Sequence, residues 1–258
     1  MKKTLFLWLL IAAAFFANSQ GKTLYTVNVV KPKSGMKSAF ETHWKAHLAM
    51  YHKTEDKRTV YEVVSGSHSG EYHIVEGPIS YADMDVEKPR AKEHGMDLEK
   101  NFSPYLENGS TNATYRHDDT ASMNGSVAAE KFQVTVTHLK MGTQQGTIRE
   151  MRRSSLLNAK MNVNPTFRFS ANTYVQILQG TKSVIVSVRN LKDGFKELDG
   201  NYFPRNPNPP APTLFKDTYI KEYGQEAWDA RSKLMDDNAN IVSREVFLMI
   251  LRKDLSSQ

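Results

Sequence analysis

The chain has 258 residues, no cysteine and a formal net charge of +6 at pH 7. Without cysteine it can form no disulfide, use no catalytic thiol and carry no lipid on a cysteine, so packing must stabilise the fold. The basic residues are scattered among acidic ones and do not alternate with aromatic residues, which argues against a nucleic-acid partner.

The N-terminal segment has the pattern of a secretory signal peptide. Two lysines precede an apolar run over residues 5–16, and Ala17-Asn18-Ser19 supplies small side chains for cleavage before Gln20. The run is shorter than the ~20 apolar residues that span a bilayer, which disfavours a membrane anchor. The sequence therefore predicts a signal peptide over residues 1–19 and an exported protein, periplasmic or secreted, with no membrane attachment after cleavage.

A strand and a helix are predicted next. Apolar and polar residues alternate over Thr23–Val30, which is the period of a half-buried strand. A helix is then predicted to follow an N-cap at Ser34 and to run to about Tyr51. Its apolar side chains recur at three- and four-residue steps, so they should face the sheet. These side chains are Met36, Phe40, Trp44, Leu48 and Tyr51.

The segment Thr59–Asp85 is predicted to be a hairpin that leads into a helix. Two runs rich in Val, Tyr and Ile flank the turn-rich Ser65–Gly70, and Gly77-Pro78 ends the second run. We predict helix from Ser80 to about Leu106, broken near Pro89. A strand near Thr111–His117 completes the first half. The following residues are small and polar as far as Ala129, which indicates a boundary near residue 125.

The second half repeats this order. Phe132, Val134 and Val136 match the first strand, a helix is predicted from about Thr143 to Ala159, and a second hairpin occupies Thr173–Asp199. The shift between matching positions only grows along the chain, as insertions into a duplicated domain would produce. We place these insertions around Asn158–Asn172 and in the proline-rich Asn201–Pro212. The apolar run Arg244–Leu251 is predicted to be a strand at the centre of its sheet.

Each half therefore has the order β-α-β-β-α-β of the ferredoxin-like arrangement, in which two helices cover one face of an antiparallel sheet. Two open sheet faces in one chain can close against each other. The predicted fold is α+β, with residues 20–125 and 126–258 as two ferredoxin-like repeats that form an intramolecular pseudo-dimeric α/β barrel.

A first helix with Trp44 and His47, a hairpin with Gly66 and the segment GPISYADMD opening the second helix resemble the dimeric α/β-barrel superfamily. The NIPSNAP and antibiotic-biosynthesis-monooxygenase-like domains are the most similar branch. The superfamily includes cofactor-independent oxygenases and haem enzymes. The resemblance to haem-degrading members implies an Asn on the first strand, here Asn28, and a His on the second helix as iron ligand, here His94. Trp44 lies on a different element from the tryptophan of those members, which argues against haem breakdown.

The strongest catalytic candidate is His73, whose side chain faces opposite to Tyr72 and Ile74 in a predicted strand. If it faces a pocket with Tyr25 or Asn28 nearby, it can act as a general base toward an acidic C–H or a phenol. The alternative is a structural histidine. We assign His73, His47 and Asn28 to catalysis. The residues assigned to ligand contacts are Trp44, Tyr72, His43 and His94.

The spacing of His43 and His47 on one helix can chelate a metal ion, with His52, His73 or Glu71 as third ligand. We favour the alternative, in which both histidines pack at the edge of the helix, because no glutamate stands in a metalloprotease context. His94 is the candidate axial ligand of a haem, with Lys88, Arg90 and Lys92 for the propionates. The segment around His94 is charged and has few apolar side chains to cover a porphyrin. We therefore predict no haem and no tightly held metal.

The sequence leaves three functional interpretations. The first is an exported protein that binds or oxidises a small organic molecule in a pocket of the first repeat, in the manner of a cofactor-independent monooxygenase. The second is a non-catalytic binding or structural module, and the third is a haem-binding or haem-degrading protein. The first interpretation implies a small organic ligand as partner, whereas a structural module can fill its barrel with its own side chains. The chain is expected to be a monomer or a homodimer.

Overall fold

The computed structural model describes residues 21–53, 56–123, 128–161, 170–177, 183–202, 211, 213–235 and 240–257. In this part of the chain there are eight strands and six helices. The strands are β1 (Leu24–Val30), β2 (Arg58–Ser65), β3 (Tyr72–Ile79), β4 (Thr111–His117), β5 (Lys131–Leu139), β6 (Ser170–Gln176), β7 (Ser183–Leu191) and β8 (Ile241–Leu251). The helices are α1 (Lys37–Tyr51), α2 (Tyr81–Met84), α3 (Ala91–Asn101), α4 (Gln144–Met161), α5 (Leu214–Tyr223) and α6 (Gln225–Met235).

The strands form one closed barrel in the order β1-β3-β2-β8-β5-β7-β6-β4, and every neighbouring pair is antiparallel. Within each half the strands follow the same spatial order. The halves join along two seams, β2 with β8 and β4 with β6. This confirms the predicted α+β barrel, and it confirms that the last strand lies inside the sheet, since β8 pairs on both sides.

Successive side chains along each strand point alternately into the barrel lumen and outward to the helix layer. On β1, Tyr25, Val27 and Val29 face the lumen. Leu24 and Val30 point to the other face and are buried. The lumen and the helix layer are therefore two separate environments, and a residue's place in the alternation decides which of them it enters.

The helix layer over the first half is held by an apolar core. Phe40, Trp44 and Leu48 on α1 are buried against side chains of β2 and β3, including Val60 and Ile74. These three residues belong to the helix face that the three- and four-residue spacing predicts, whereas Met36, which the same spacing assigns to that face, precedes the helix and is exposed. Burying a side chain of this size contributes about 1.5 to 3 kcal/mol, so the contact fixes α1 on the sheet.

Local sequence signals predict the start of one helix correctly and that of another wrongly. Ser80 caps α2 in a reciprocal capping box with Asp83, as expected for a helix that begins there. The prediction of Ser34 as N-cap is wrong, because α1 begins at Lys37 after Met36 and has no side-chain cap. The backbone turn at Gly35, with φ of 76°, makes that entry.

Several predictions lie outside the described residues. They are the signal peptide over residues 1–19, the boundary near residue 125 and most of the two insertions, over residues 162–169 and 203–210. Among the helices that the structure describes, none combines the length and the apolar character needed to cross a membrane.

Candidate functional site

The lumen of the barrel contains a cavity of about 340 Å³. Valine, alanine, phenylalanine and methionine side chains from both halves of the barrel form most of its wall. Four tyrosines add hydroxyl groups to this apolar surface. They are Tyr25, Tyr61, Tyr115 and Tyr174. A predominantly apolar wall with a few polar groups is typical of sites for small organic molecules.

Burial keeps the lumen phenols protonated. It raises the pKa of Tyr61 and of Tyr115, and for Tyr25 and Tyr174 repulsion from the Asp119 carboxylate adds to the rise. The rings of Tyr25 and Tyr174 meet edge to face, with centroids 5.4 Å apart. These residues can therefore donate hydrogen bonds to a ligand and stack on an aromatic ring, but they do not supply a phenolate base near neutral pH.

His73 is the one imidazole in the cavity wall among the described residues. It lies on β3 opposite Val29 of β1, and its ring packs 5.6 Å from the ring of Phe247. Its Nε2 atom is 3.9 Å from Glu71 Oε2, which allows charge attraction but is too long for a hydrogen bond. The side chain of His73 therefore faces a pocket, and that pocket is the lumen of the barrel.

A polar cluster joins this histidine to the barrel rim. His68 donates from Nδ1 to Glu71 Oε2 at 3.0 Å and from Nε2 to Glu245 Oε2 at 2.6 Å. His138 Nε2 is 3.5 Å from the other oxygen of Glu245. We call His68, His73, Glu71, Glu245 and His138 the rim cluster. It provides alternating imidazoles and carboxylates from the lumen wall toward solvent.

The charges within the rim cluster stabilise one another. Burial opposes the charged form of His68, but hydrogen bonds to Glu245 and Glu71 outweigh it and raise the pKa of the imidazole. Burial likewise favours a neutral Glu71, whereas the neighbouring His73 and His68 lower the pKa of its carboxyl group. The arrangement therefore favours the imidazolium form of His68, which lies between two carboxylates.

Of the predicted site residues only His73 lines the cavity. His43, His47 and His94 lie in the helix layer described below, and the other three are Trp44, Tyr72 and Asn28. Trp44 lies on the buried face of α1, and its Nε1 donates to the carbonyl oxygen of Leu255 at 2.8 Å. Tyr72 is fully buried in the same core, and its hydroxyl donates to Glu41. Asn28 points out of the barrel and accepts a hydrogen bond from Asn112 at 2.7 Å. The structure therefore does not bring Asn28 or Tyr72 together with His73, because adjacent strand positions face opposite sides.

A second group of histidines lies in the helix layer. The Nε2 atoms of His47, His52 and His94 are 3.1 to 3.2 Å from one another. His43, which the helical spacing pairs with His47, is directed elsewhere: its Nε2 accepts from the Tyr105 hydroxyl at 2.9 Å. The chelating pair of His43 and His47 that the spacing allows, and that the sequence analysis disfavours, is therefore not formed.

Burial and mutual repulsion keep two of these imidazoles neutral near pH 7. Burial lowers the pKa of His47, although a hydrogen bond to Asp97 opposes the shift. Burial, together with the neighbouring His47 and His52, lowers the pKa of His94 to about 4. Neutral imidazole is the form that binds metal ions.

The residues implied for haem do not assemble a haem site. Asn28 is bonded to Asn112 and His94 to His47 and His52, and Lys88 is engaged with Asp56 and Glu76. Arg90 stacks over the ring of Tyr51 at 4.7 Å. Within the described lumen wall there is no lysine or arginine to meet a propionate. The lumen therefore does not fit a haem. In the helix layer the ring nitrogens of His47, His52 and His94 face one another.

Sequence reasoning did not find the rim cluster or the convergence of the three histidines. His68 lies in a turn that reads only as polar, and Glu245 is 177 residues away along the chain. His52 was named only as an auxiliary ligand to His43 and His47. The one usable signal was the crowding of histidines in the first half, which does not say which of them meet.

No protein-family model and no curated protein matches this chain. Solved structures with a similar arrangement include a candidate monooxygenase from Lactobacillus acidophilus, at 9% identity over 92% of this chain and 96% of that one, with a TM-score of 0.49. An anthrone oxidase-like protein has 13% identity over 90% and 92%, with a TM-score of 0.48. A mutant chlorite dismutase from Candidatus Nitrospira defluvii has 7% identity over 92% and 94%, with a TM-score of 0.49. At this level no activity and no residue role passes to this chain.

Proposed function

We propose that the barrel lumen binds one small aromatic molecule. The observation that carries this proposal is the cavity of about 340 Å³, with its apolar wall and four protonated tyrosines. Its volume is at the small end of the range for small-molecule sites, which favours a ligand of two or three fused rings. Aromatic walls favour aromatic ligands through edge and stacking contacts.

The pocket belongs to the whole barrel. Tyr25 and His73 come from the first half, whereas Phe132, Tyr174 and Phe247 come from the second. The sequence-based prediction places the pocket in the first repeat, whereas residues of both halves form its wall. Since the strands of one chain close the barrel, this site needs no second copy, and both monomer and homodimer remain compatible with it.

Filling the lumen should abolish binding. Val188 lies in the cavity wall on β7, so Val188→Trp is expected to weaken the binding of 2-naphthol by at least about tenfold, because the indole occupies the ligand's space. Fluorescence titration of the purified chain with 2-naphthol measures the affinity. The matched control is Val246→Trp on β8, whose side chain is half exposed outside the barrel. Binding that both variants retain, or that both lose, would contradict a site in the lumen.

We further propose that His73 is the general base of this site, because it is the imidazole that faces the cavity and because the Glu71 carboxylate lies 3.9 Å from its Nε2 atom. Removing a proton from an acidic C–H gives an electron-rich carbanion, and removing it from a phenol gives a phenolate; dioxygen can oxidise either anion. For anthrone, loss of two hydrogens and gain of one oxygen gives anthraquinone, while the second oxygen atom leaves as water. Dioxygen is the oxidant, and no metal is consumed or required by this balance.

Replacement of His73 should separate binding from catalysis. His73→Gln is expected to slow oxygen uptake with anthrone by about a hundredfold, whereas the affinity for 2-naphthol changes little. An oxygen electrode measures the rate over the uncatalysed reaction. The control His117→Gln changes a strand histidine outside the described cavity wall, where its Nε2 meets Ser122. Binding without any enzymatic oxygen uptake would favour the non-catalytic module over the oxygenase.

The export and the duplication belong to the same proposal. We infer that residues 1–19 are removed on export to the periplasm or medium, which N-terminal sequencing of the exported chain checks by starting at Gln20. We also infer that the halves arose by duplication and correspond to the two subunits of a dimeric barrel of the NIPSNAP or antibiotic-biosynthesis-monooxygenase-like kind. The shared strand order and the matching lumen residues Tyr25 and Phe132 support this.

A further inference from the structure

Three histidines from separate segments point one ring nitrogen each at a common centre. His47 comes from α1, His52 directly follows that helix, and His94 comes from α3. Their Nε2 atoms form a nearly equilateral triangle with sides of 3.1 to 3.2 Å. In a tetrahedral zinc site, with bonds of about 2.0 to 2.1 Å, ligand nitrogens are about 3.3 Å apart. The triangle therefore has the size of one face of such a site.

The protons of these rings are on the opposite side. His52 Nδ1 lies 2.8 Å from the carbonyl oxygen of Asp56, and a carbonyl can only accept, so this nitrogen carries the hydrogen. His47 Nδ1 donates to Asp97 Oδ2 at 2.6 Å. In the neutral rings the Nε2 atoms of His47 and His52 consequently carry lone pairs, and these two atoms face each other at 3.2 Å. A single proton could bridge only two of the three nitrogens, whereas one cation satisfies all three.

The surroundings match those of metal ligands. Ligating histidines usually donate their other N–H to a carboxylate or a backbone carbonyl, which fixes the ring and its tautomer. Here Asp97 performs this role for His47, and Asn101 in turn donates to Asp97 at 2.8 Å. The positive charge of Arg58 is taken up by Asp56 and Glu76, at 2.6 and 3.0 Å. The same two carboxylates also bind Lys88, so they balance both neighbouring cations, and Asp97 adds a negative charge beside His47.

We propose that His47, His52 and His94 bind one zinc ion, with solvent as the fourth ligand. Three imidazoles on one face of a tetrahedron, without thiolate or a planar fourth nitrogen, suit zinc better than copper or iron. An open groove bordered by Tyr51, Glu93 and Asp97 lies beside the site, and His94 is partly exposed. The ion would fasten α3 to α1 and to the segment before β2. This departs from the sequence-based expectation of no tightly held metal, and it is independent of the lumen.

Metal titration of the untagged full chain, after treatment with a chelator, tests the proposal. Co²⁺ is the optical probe, since tetrahedral coordination gives intense visible absorption, and Zn²⁺ is then added to displace it. We expect one ion per chain. His94→Ala should weaken Zn²⁺ binding by at least about a hundredfold, and Asp97→Asn by about 10- to 100-fold through the lost support of His47. His43→Ala, on the same helix but bonded to Tyr105, should bind like the parent chain.

Thermal unfolding gives an independent readout. Because a ligand that binds only the folded state stabilises it, Zn²⁺ should raise the unfolding midpoint of the parent chain and of His43→Ala, and leave that of His94→Ala unchanged. Circular dichroism of the metal-free variants checks that each one folds. Should His94→Ala fail to fold, the Asp97→Asn affinity decides. Weak binding of several ions, or an affinity equally reduced in His43→Ala, would overturn the site.

Discussion

Replacing Trp44 by alanine is expected to lower the free energy of unfolding by about 4 kcal/mol. The indole is 3% exposed and packs against Phe102 and His47, with ring centroids 5.2 and 5.3 Å away. Its removal leaves a large cavity between α1 and the barrel. It also leaves the carbonyl oxygen of Leu255 without the hydrogen bond from Nε1. Urea denaturation followed by circular dichroism measures the loss, with the midpoint reduced and the slope unchanged.

Two further variants separate core packing from a role in ligand binding. Tyr81→Ala removes an aromatic side chain that is half exposed at the start of α2, and its cost should stay within about 0.5 kcal/mol. Trp44→Phe keeps a ring in the core, so it should retain the affinity of the lumen for 2-naphthol. If Trp44→Phe loses that affinity while remaining folded, Trp44 has the ligand role that the sequence suggested, and the core explanation is contradicted.

The fold could be predicted from the sequence because its signals are local. Alternation in Thr23–Val30 and the helical stripe through Phe40 and Trp44 report which face each element buries, and the repeated order of elements suggests a barrel. The strand β4 was predicted with its observed bounds, Thr111–His117. The start of α1 was misplaced because a serine three residues from the helix resembled a cap, whereas a glycine turn forms the entry.

The site could be predicted only in part, since it depends on contacts between distant segments. Alternation correctly set His73 opposite to Tyr72, but it could not say which face was the lumen. Asn28 was grouped with His73 although it has the opposite parity to Val29, the residue that pairs with His73. The spacing of His43 and His47 suggested chelation within a helix, while the observed cluster uses His52 beyond the helix end and His94 from another helix. No local sequence pattern indicates that His47, His52 and His94 contact one another.

A buried ionic network at the end of β8 illustrates the same limit. Arg252 Nη1 lies 2.7 Å from Glu41 and 2.5 Å from Glu62, and its Nε lies 2.9 Å from Asp254. The two glutamates are 211 and 190 residues away in sequence. Tyr72 donates to the same Glu41 oxygen at 2.6 Å. One arginine therefore ties α1, β2 and the C-terminal segment together.

Arg252→Met should lower the free energy of unfolding by about 3 kcal/mol, because Glu41 loses its ion-pair partner and Glu62 keeps only Lys37, while both remain largely buried. This is the lower end of the range for buried pairs, as 17% of the arginine side chain still reaches solvent. The matched control is Lys253→Met at the next position. Its ion pair with Glu130 is exposed, at 68% and 65%, so the change should cost less than about 1 kcal/mol.

The pH dependence of this loss distinguishes charge from packing. Burial tends to raise the pKa of Glu41, but hydrogen bonds from Arg252 and Tyr72 outweigh it and hold the pKa below its ordinary value. A lowered folded-state pKa stabilises the fold above the ordinary pKa, and this stabilisation is lost as the pH falls through the folded value. The gap between parent and Arg252→Met should therefore narrow below about pH 4, where Glu41 becomes protonated in the variant first. A gap in the urea midpoints that stays constant from neutral pH to pH 3 would assign the loss to packing and refute the ionic explanation.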